Sequence, residues 1–262
     1  NASVDYCVME VSSHALDLNR VAFCRFDTGI YTNLTPDHLE LHKDMDSYFM
    51  AKAKLFAMTN RANIINLDDA YGERLIERFG RDKDVRLITY GCTEKADVFA
   101  QNIRYAFNGT HFTAHTPKGE VEITCHIPGE IYVYNALAAI AWAVAEDFSL
   151  EVIAKGIASL MGVKGRFETV YDADDKKVVI DFAHTEDGLQ KALQTLRPFV
   201  KNRLLLVFGV YAAPGALGHS KRIGMGKVAA DYADFSFLTS DNPKEQDPMA
   251  ILEDVAEAIK AN

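Results

Sequence analysis

Short apolar runs that end in polar residues alternate with helical patterns over the first part of the chain. The apolar runs lie at 6–11, 28–34, 62–67 and 85–90, and the helical patterns lie at 47–56 and 71–79. Ser47 is a suitable N-cap for the first of these helices. Strands that alternate with helices are typical of a parallel sheet covered by helices, so the pattern predicts an α/β fold.

A different pattern occupies residues 97–126. Three short runs of alternating apolar and polar residues are separated there by Asn108-Gly109 and by the Pro-Lys-Gly turn at 117–119. Such turns between alternating runs indicate β-hairpins, so we expect a small antiparallel sheet appended to the parallel one. Three histidines fall in this segment: His111, His115 and His126. Because alternating strands can expose each of them on a solvent face, we do not expect a metal site here.

A long apolar helix and a glycine-containing segment mark the middle of the chain. Residues 134–145 predict a buried helix, and Asn135 at its polar start is either a cap or a ligand-binding group. Ser149 is expected to cap the next helix. The segment after that helix contains two glycines and has no periodicity. We therefore expect two domains, at 1–163 and 164–262.

The second domain repeats the strand–helix pattern. Its apolar runs lie at 178–182, 203–208 and 234–239, and its helical patterns lie at 187–196, at 221–233 and after Asp247-Pro248. This order predicts a Rossmann-like domain. Polar residues follow two of its strands: Asp181, His184, Asp241 and Asn242. Because the carboxyl ends of parallel strands share one edge of a sheet, we expect these side chains to lie on one face.

An acid, an imidazole and a lysine stand at the polar ends of successive segments near the start of the chain. Glu10 is near the end of the first apolar run, His38 follows the second, and Lys52 lies in the first predicted helix. Mg²⁺ prefers hard oxygen ligands such as Glu10, whereas His38 is softer and Lys52 can ligate only if CO₂ carbamylates it. We interpret the three as one Mg²⁺–nucleotide site. From the residues alone, a helix N-terminal acid, a structural histidine and a solvated lysine remain alternatives.

Composition and charge narrow the classes of function. The 262 residues exceed the usual size of one domain, and the net charge of −9 with no long basic run argues against a nucleic-acid partner. The four cysteines are scattered without a Cys-x-x-Cys pair, which is typical of reduced thiols in a cytoplasm. No apolar run reaches the length of a membrane span. We expect a cytoplasmic monomer without membrane insertion.

Several of these residues belong to motifs that together resemble one family, the Mur ligases. Within that family the chain is most similar to the UDP-N-acetylmuramoyl-tripeptide synthetase branch. One such motif has little specificity, whereas their shared order along nearly the whole chain is specific. The motifs are Glu10-Val11-Ser12-Ser13-His14-Ala15-Leu16, Thr35-Pro36-Asp37-His38-Leu39, Tyr48-Phe49 with Lys52 and Leu55-Phe56, and the segments 133–139, 165–168, 181–189 and 239–243.

The resemblance implies an ATP-dependent ligase with a central ATPase domain and a Rossmann-like C-terminal domain. Mur ligases join a free amino acid to a UDP-linked muropeptide through an acyl-phosphate, with ATP and Mg²⁺ as cofactors. The implied metal-binding and catalytic residues are Glu10, His38 and carbamylated Lys52, and the implied nucleotide-binding residues are Asn135, Arg166 and Asp181. The implied substrate-binding residues are Ser12, Ser13, His14, Arg20, His184, Asp241, Asn242 and Lys244.

The chain departs from the family's pattern at several positions. The Gly-rich P-loop that ends in Gly-Lys-Thr or Gly-Lys-Ser is absent. In the family this loop precedes the first motif, so we expect it upstream of Asn1 and expect the chain to be an inactive fragment. Smaller departures are Tyr132 for an Asn, Glu186 for a Pro, and 209–215 for a Gly-Gly-Asp-Arg-Asp-like loop. Lys244 replaces an Arg of the diaminopimelate-adding members, which leaves diaminopimelate, lysine or another amino acid open.

Two other hypotheses keep the same fold. In the first, the ligase acts on another acid, as folylpolyglutamate and cyanophycin synthetases do. Ser12-Ser13-His14 and Asp241-Asn242-Pro243 weigh against it. In the second, the chain is a non-catalytic Mur-like binding module that has lost its P-loop.

Overall fold

Six strands form one mixed sheet in the first part of the chain. The computed structural model describes residues 3–37, 39, 41–80, 84–213 and 215–261. The strands, in both chain order and sheet order, are β1 (Phe26–Tyr31), β2 (Thr59–Asn66), β3 (Arg86–Gly91), β4 (Val98–Ala106), β5 (Gly109–Thr116) and β6 (Gly119–Cys125). Strands β1 to β4 pair in parallel, and β4 to β6 pair antiparallel. This confirms the predicted parallel sheet with its antiparallel extension.

Five helices accompany this sheet. They are α1 (Ser13–Asp17), α2 (Met45–Ala53), α3 (Ala70–Phe79), α4 (Glu130–Ala145) and α5 (Leu150–Ser159), and a 3₁₀ turn at Lys54–Ala57 follows α2. Ser149 caps α5 as expected, since its side chain accepts a hydrogen bond from the Val152 amide. Within the described ranges, no helix combines the length and the apolar character that crossing a bilayer requires.

Helix α4 provides the centre of the main core. Its residues Leu137 and Val144 pack with Ile64 of β2, Phe112 of β5 and Ile123 of β6, and all five side chains are almost completely buried. Burying one such side chain contributes about 1.5–3 kcal/mol. The helix is therefore held firmly against the sheet, which fixes the direction of the residues at its N-terminal end.

Helix α2 begins earlier than the sequence predicts. Its N-cap is Asp44, whose carboxylate accepts a hydrogen bond from the Ser47 amide at 2.7 Å. The prediction of Ser47 as the cap is therefore wrong, because the aspartate three residues before it takes that position. The helix buries Tyr48, Phe49 and Ala53 in a second cluster, so that Lys52 lies beside the loop after β1.

The predicted buried strand at 6–11 is absent from the structure. Residues 6–10 are exposed and have no regular secondary structure, and the Tyr6 and Trp142 rings make a T-shaped contact with a centroid distance of 5.4 Å. A strand needs a hydrogen-bonded neighbour, and within the described residues only β2 pairs with β1. An apolar run indicates burial of side chains and does not reveal whether such a neighbour exists.

The second part of the chain contains two separate two-stranded sheets. A hairpin of β7 (Glu168–Ala173) and β8 (Lys176–Ile180) is antiparallel, and β9 (Leu205–Phe208) pairs in parallel with β10 (Phe235–Leu238). The helices are α6 (Glu186–Leu196), α7 (Gly215–Tyr232) and α8 (Pro248–Ala261), with a 3₁₀ turn at Arg197–Phe199. After the hairpin, strands and helices alternate as the Rossmann-like prediction requires.

Strand β8 differs from the prediction for 178–182. It was expected to be a buried strand of a parallel sheet, but Val178 and Ile180 are about half exposed. The strand pairs with β7, which the sequence interpretation missed. The turn between them is Asp174-Asp175, and both residues have positive φ angles of 53° and 56°. Aspartate tolerates this conformation, so the Asp-Asp pair was a hairpin turn that went unrecognised.

Helix α7 begins at Gly215, whereas the sequence predicted a start at Lys221. Glycines disfavour helices intrinsically, which hid the first turns. At Gly218 a Cβ atom would overlap the carbonyl oxygen of Ala213, so the helix approaches the preceding loop too closely for any other residue. Packing overrides propensity here and extends the helix toward the loop after β9.

Candidate functional site

A cavity of about 390 Å³ lies between α4 and the start of the second part of the chain. Its lining includes four of the residues that the sequence singled out, which are Asn135, Arg166, Asp181 and His184. These come from a helix, a linker and the segment after β8. The structure therefore brings together side chains that are far apart in the sequence.

Asp181 joins the linker to the end of β8. One carboxylate oxygen accepts a hydrogen bond from the Phe167 amide at 2.8 Å, and the other accepts one from the Ala183 amide at 2.8 Å. Phe167 has a positive φ angle of 48°, a conformation that non-glycine residues rarely adopt. The carboxylate thus stabilises an unusual backbone segment that carries Arg166.

Aromatic side chains form one wall of this cavity. The Arg166 guanidinium lies 4.3 Å from the centroid of the Phe182 ring, and Tyr132 contacts Phe167 edge-on at 6.4 Å. Burial, and then the Asp181 carboxylate, raise the pKa of Tyr132 to about 12, so its hydroxyl stays protonated and can donate a hydrogen bond. This wall of the cavity therefore combines aromatic ring surface with the positive charge of Arg166.

Asn135 lies on the exposed side of α4, in its second turn. The alternative that it caps the helix is wrong, because the residue at the N-cap is Gly129. Asn135 therefore presents its amide to the cavity from a helix whose opposite side is in the core.

Lys52 lies in a second group of polar residues beside the loop after β1. Its Nζ donates a hydrogen bond to the Asn33 carbonyl oxygen at 3.1 Å. Burial lowers the pKa of the Lys52 ammonium, and the carboxylates of Asp69, Asp37 and Glu10 oppose this change. Lys52 is therefore a partly buried amine with carboxylates near it, in contrast to a fully solvated lysine.

Glu10 is exposed and lies three residues before the first residue of α1. The first turn of α1 contains no acidic residue, so the alternative of a helix N-terminal acid is wrong. His38, the third expected metal-binding residue, lies outside the described residues. Among those that are described, no group of three or more His, Cys, Asp or Glu side chains has the arrangement of a metal site.

Asp69 organises the base of this region and was missed as a site residue. Its carboxylate accepts hydrogen bonds from the Tyr31 hydroxyl at 2.8 Å and from the amides of Leu34 and Tyr71 at 3.1 Å and 3.0 Å. It caps α3 and at the same time holds the loop after β1. In the sequence, 68–70 was recognised only as a turn before a helix.

The expected substrate-binding residues near the start of the chain differ from one another in exposure and in their contacts. Ser12 caps α1, His14 is partly buried, and Arg20 is exposed. Ser13 is buried, and its hydroxyl lies 2.9 Å from His42 Nε2. His42 is itself buried and stacks on Tyr48, so it is a structural histidine.

A third group surrounds Tyr211, in the loop after β9. The Lys221 and Lys244 ammonium groups lie 3.6 Å and 5.6 Å from the centroid of its ring, and the His184 ring lies 6.1 Å away. Sequence analysis noted Tyr211 only as part of a loop that departs from the family. Asp241 and Asn242 follow β10, and the Asn242 carbonyl oxygen accepts a hydrogen bond from the Ala212 amide at 3.2 Å.

The expectation that Asp181, His184, Asp241 and Asn242 share the edge of one sheet is wrong. Strand β8 does not pair with β9 or β10 in the part of the chain that the structure describes. His184 nevertheless approaches Tyr211 in the loop after β9, and the Ala212 amide of that loop donates a hydrogen bond to the Asn242 carbonyl oxygen. On its other side, His184 Nε2 lies 4.0 Å from a carboxylate oxygen of Asp37, so the three groups of residues are contiguous.

The histidines of the hairpin region are separate from these groups. His111 lies 3.2 Å from the Thr124 hydroxyl, and His115 lies 3.2 Å from Glu120 and stacks on Phe99. Each interacts with its direct cross-strand neighbour, as residues on one face of an antiparallel pair do. They are surface residues of the sheet.

Two family models match this chain. The Mur ligase middle domain matches residues 1–143, and the glutamate ligase domain of Mur ligases matches residues 165–262. The chain belongs to the Mur ligase family. The first match contains Glu10, Lys52 and Asn135, and the second contains Arg166, Asp181, His184 and Tyr211. The cavity therefore lies where the two Mur ligase segments meet.

The most similar Mur ligases that we compared share one name. The UDP-N-acetylmuramoyl-L-alanyl-D-glutamate–2,6-diaminopimelate ligase of Alkaliphilus oremlandii is 42% identical over 257 residues, which cover 98% of this chain and 52% of that protein. The ligase of the same name from Clostridium acetobutylicum is 43% identical over 261 residues, which cover 99% of this chain and 52% of that protein. The chain thus spans about half the length of the curated relatives that it matches.

Solved structures agree with this assignment. A UDP-N-acetylmuramoyl-L-alanyl-D-glutamate–2,6-diaminopimelate ligase superposes with a TM-score of 0.66 and 32% identity, over 95% of this chain and 50% of that one. A Mycobacterium tuberculosis folylpolyglutamate synthase complexed with ADP superposes with a TM-score of 0.73 but 18% identity, over 89% of this chain and 51% of that one. The second similarity shows the fold alone.

Proposed function

We propose that this chain carries catalytic residues of an ATP-dependent ligase in peptidoglycan precursor synthesis. The ligase adds an amino acid, diaminopimelate or lysine, to UDP-N-acetylmuramoyl-L-alanyl-D-glutamate through an acyl-phosphate. The observation that carries the proposal is the cavity in which Asn135, Arg166, Asp181 and His184 meet from both Mur ligase segments. The names of the relatives at 42–43% identity support this substrate over the folate and cyanophycin alternatives.

The cavity is the proposed nucleotide site. Asn135 supplies an amide that can pair with the edge of an adenine, and Tyr132 and Phe167 supply apolar ring surface for the base. Arg166 supplies a permanent cation for the phosphates. Asp181 stays in the proposed nucleotide site, and its two oxygens also hold the Phe167 and Ala183 amides, which positions the segment that carries Arg166.

The residues around Lys52 fit a magnesium ion. Glu10 and His38, with a carbamylated Lys52, would hold Mg²⁺ through mainly hard oxygen donors. When bound, Mg²⁺ would offset the charge of the phosphoryl group during transfer. Only a neutral amine reacts with CO₂, and burial of Lys52 favours that form. Asp69 accepts a hydrogen bond from the Leu34 amide, and Lys52 donates one to the Asn33 carbonyl oxygen, so the loop beside Lys52 is held in place.

The UDP-linked muropeptide is proposed to bind near α1. Arg20 is an exposed cation suited to a phosphate or carboxylate, and Ser12 and His14 lie at the start of the same helix. Ser13 acts indirectly, because its hydroxyl is engaged by His42. The amino acid would enter from the side of His184, Asp241, Asn242 and Lys244, next to the nucleotide cavity that His184 also lines.

The organisation that the sequence predicts remains part of this proposal. Domains at 1–163 and 164–262 are supported by family matches that end at 143 and begin at 165. A cytoplasmic location agrees with four cysteines that are all free in the structure, and the monomeric state stays a prediction.

A panel of substrates tests the proposal directly. The complete gene product is incubated with ATP, Mg²⁺, UDP-N-acetylmuramoyl-L-alanyl-D-glutamate and one amino acid at a time, and products are identified by mass. We expect a product enlarged by one diaminopimelate or lysine residue, and ADP formation that stops when the muropeptide is omitted. Ligation to a folate or a cyanophycin-like acid instead would overturn the proposal. Nucleotide binding without any ligation would favour a binding module.

A further inference from the structure

We propose that Tyr134 is a positioning residue for the base of the nucleotide, because its hydrogen bond to Asp68 fixes the direction in which Asn135 enters the cavity. The inference rests on the proposed nucleotide site and assigns roles to two residues outside it. Over the part of the chain that the structure describes, the cavity lining includes Asn135 but neither Tyr134 nor Asp68. Both residues therefore act through Asn135.

One hydrogen bond joins the second turn of α4 to the carboxyl edge of the parallel sheet. The Tyr134 hydroxyl donates to Oδ2 of Asp68 at 2.9 Å, and Asp68 lies two residues after the end of β2. Burial, and then this hydrogen bond, raise the pKa of Tyr134, so its hydroxyl stays protonated and remains a donor. A hydrogen bond to a charged acceptor is strong and directional, so it restrains the tyrosine in one orientation.

Asp68 is itself held by two neighbouring strands. Its carboxylate accepts a hydrogen bond from the Cys92 amide, directly after β3, and a Cβ atom at Gly91 would lie 2.7 Å from it. The Asp68 amide donates to the Asn66 side chain at 3.0 Å. The acceptor of the Tyr134 hydroxyl is therefore anchored to the sheet, although Asp68 is exposed.

The position of Tyr134 directly before Asn135 gives this hydrogen bond its consequence. Successive side chains of a helix point about 100° apart, so a tyrosine fixed toward the sheet edge fixes the direction of the amide that follows it. Val133 and Leu137 hold the helix by apolar packing, which is not directional, and the N-cap Gly129 has no side chain to restrain the first turn. The Tyr134 hydroxyl thus adds a directional constraint next to the residue that is proposed to meet the base.

The same series of hydrogen bonds continues to the region of Lys52. The Asn66 side chain donates to the Thr32 carbonyl oxygen at 2.8 Å, and the following carbonyl oxygen, that of Asn33, accepts the hydrogen bond from Lys52. The helix that carries Asn135 and the loop beside Lys52 are therefore tied to the same edge of the sheet.

Equilibrium binding of ADP and IDP to the complete gene product, in the presence of Mg²⁺, tests the inference. IDP carries an oxygen where ADP carries an amino group, so the ratio of the two dissociation constants reports how selectively Asn135 reads the base. For Tyr134→Phe we expect the preference for ADP to fall about tenfold, because a misdirected amide pairs less selectively. Asp68→Ala should have the same effect from the other side of the hydrogen bond. A merely structural role would weaken the binding of both nucleotides alike and leave the ratio unchanged.

A double variant and a matched control complete the experiment. Asn135→Ala should lower the preference for ADP at least as much, and Tyr134→Phe added to it should lower the preference no further, since the tyrosine acts through Asn135. Tyr171→Phe is the control, because the Tyr171 hydroxyl also donates to an aspartate, Asp174, at 3.3 Å in the β7–β8 hairpin. Its ratio should equal that of the unmodified protein.

The outcomes separate this inference from the proposed function. Absence of binding of either nucleotide to the unmodified protein would overturn both. Equal affinity of the unmodified protein for ADP and IDP, an unchanged ratio in Tyr134→Phe, or additive effects of Tyr134→Phe and Asn135→Ala would overturn the role of Tyr134 alone. The predicted ratios without ligation of any amino acid would support that role and overturn the proposed function. If Tyr134→Phe does not fold, Asp68→Ala decides, since Asp68 is exposed; an unchanged ratio in that variant would refute the inference.

Discussion

Replacing Lys52 by alanine in the complete gene product is expected to lower the rate of ligation by about 10²- to 10³-fold. The shielded amine lies among Glu10, Asp37 and Asp69, and its carbamate would supply a metal ligand that no neighbouring side chain replaces. Short-chain carboxylates such as acetate are expected to restore part of the activity, because they can occupy the space of the carbamate. The rate of ADP formation, with and without acetate, is the measurement.

Lys54 provides the matched control for this experiment. It lies two residues further along, about half exposed, and its Nζ is 2.6 Å from a carboxylate oxygen of Asp17. An exposed ion pair of this kind contributes at most about 1 kcal/mol, so Lys54→Ala should leave ligation nearly unchanged. Full activity of Lys52→Ala would contradict the assignment, and so would equal losses in the two variants.

Replacing Asp181 by alanine is expected to lower the stability of the protein and its affinity for ATP. The substitution removes two hydrogen bonds that the exposed carboxylate accepts from backbone amides, each worth about 0.5–1.5 kcal/mol, so the free energy of unfolding should fall by about 1–3 kcal/mol. The KM for ATP should rise as well, since the linker that carries Arg166 loses its anchor. Urea denaturation and steady-state kinetics measure the two effects.

The variant Asp181→Asn distinguishes a structural role of Asp181 from direct contact with the nucleotide. Asp181→Asn keeps one oxygen acceptor, so it should lose roughly half as much stability as the alanine variant. If Asp181 acted only on the nucleotide, both variants would raise the KM for ATP without a change in the free energy of unfolding. That result would contradict the anchoring role.

Local chemistry made the sheet predictable. The turns at Asn108-Gly109 and 117–119 determine the β4–β5–β6 hairpins almost without reference to the rest of the chain. Ser149 caps α5 because its hydroxyl accepts a hydrogen bond from the Val152 amide three residues later, which does not depend on tertiary packing. Where a few adjacent residues decide a structure, the sequence suffices to predict it.

Long-range contacts account for what the sequence did not reveal. Whether 6–11 becomes a strand depends on a neighbouring strand and not on its own apolar pattern. Asp181 was assigned to the nucleotide, yet its partners are backbone amides that carry no sequence signature. Tyr211 acquires its contacts only because α7 and the loop after β10 come together around it. Contacts between residues that are distant in the sequence become visible only in the three-dimensional structure.

Following an ¹⁸O label from the muropeptide carboxylate to the released phosphate tests the central claim, ligation through an acyl-phosphate, most directly. The muropeptide is labelled in the carboxylate that receives the amino acid, and the complete gene product is supplied with ATP, Mg²⁺ and the preferred amino acid. An acyl-phosphate forms by attack of that carboxylate on ATP, so one labelled oxygen must leave with the phosphate when the amine displaces it. We predict one labelled oxygen per phosphate released. Unlabelled phosphate accompanying product formation would contradict the mechanism that the site is proposed to perform.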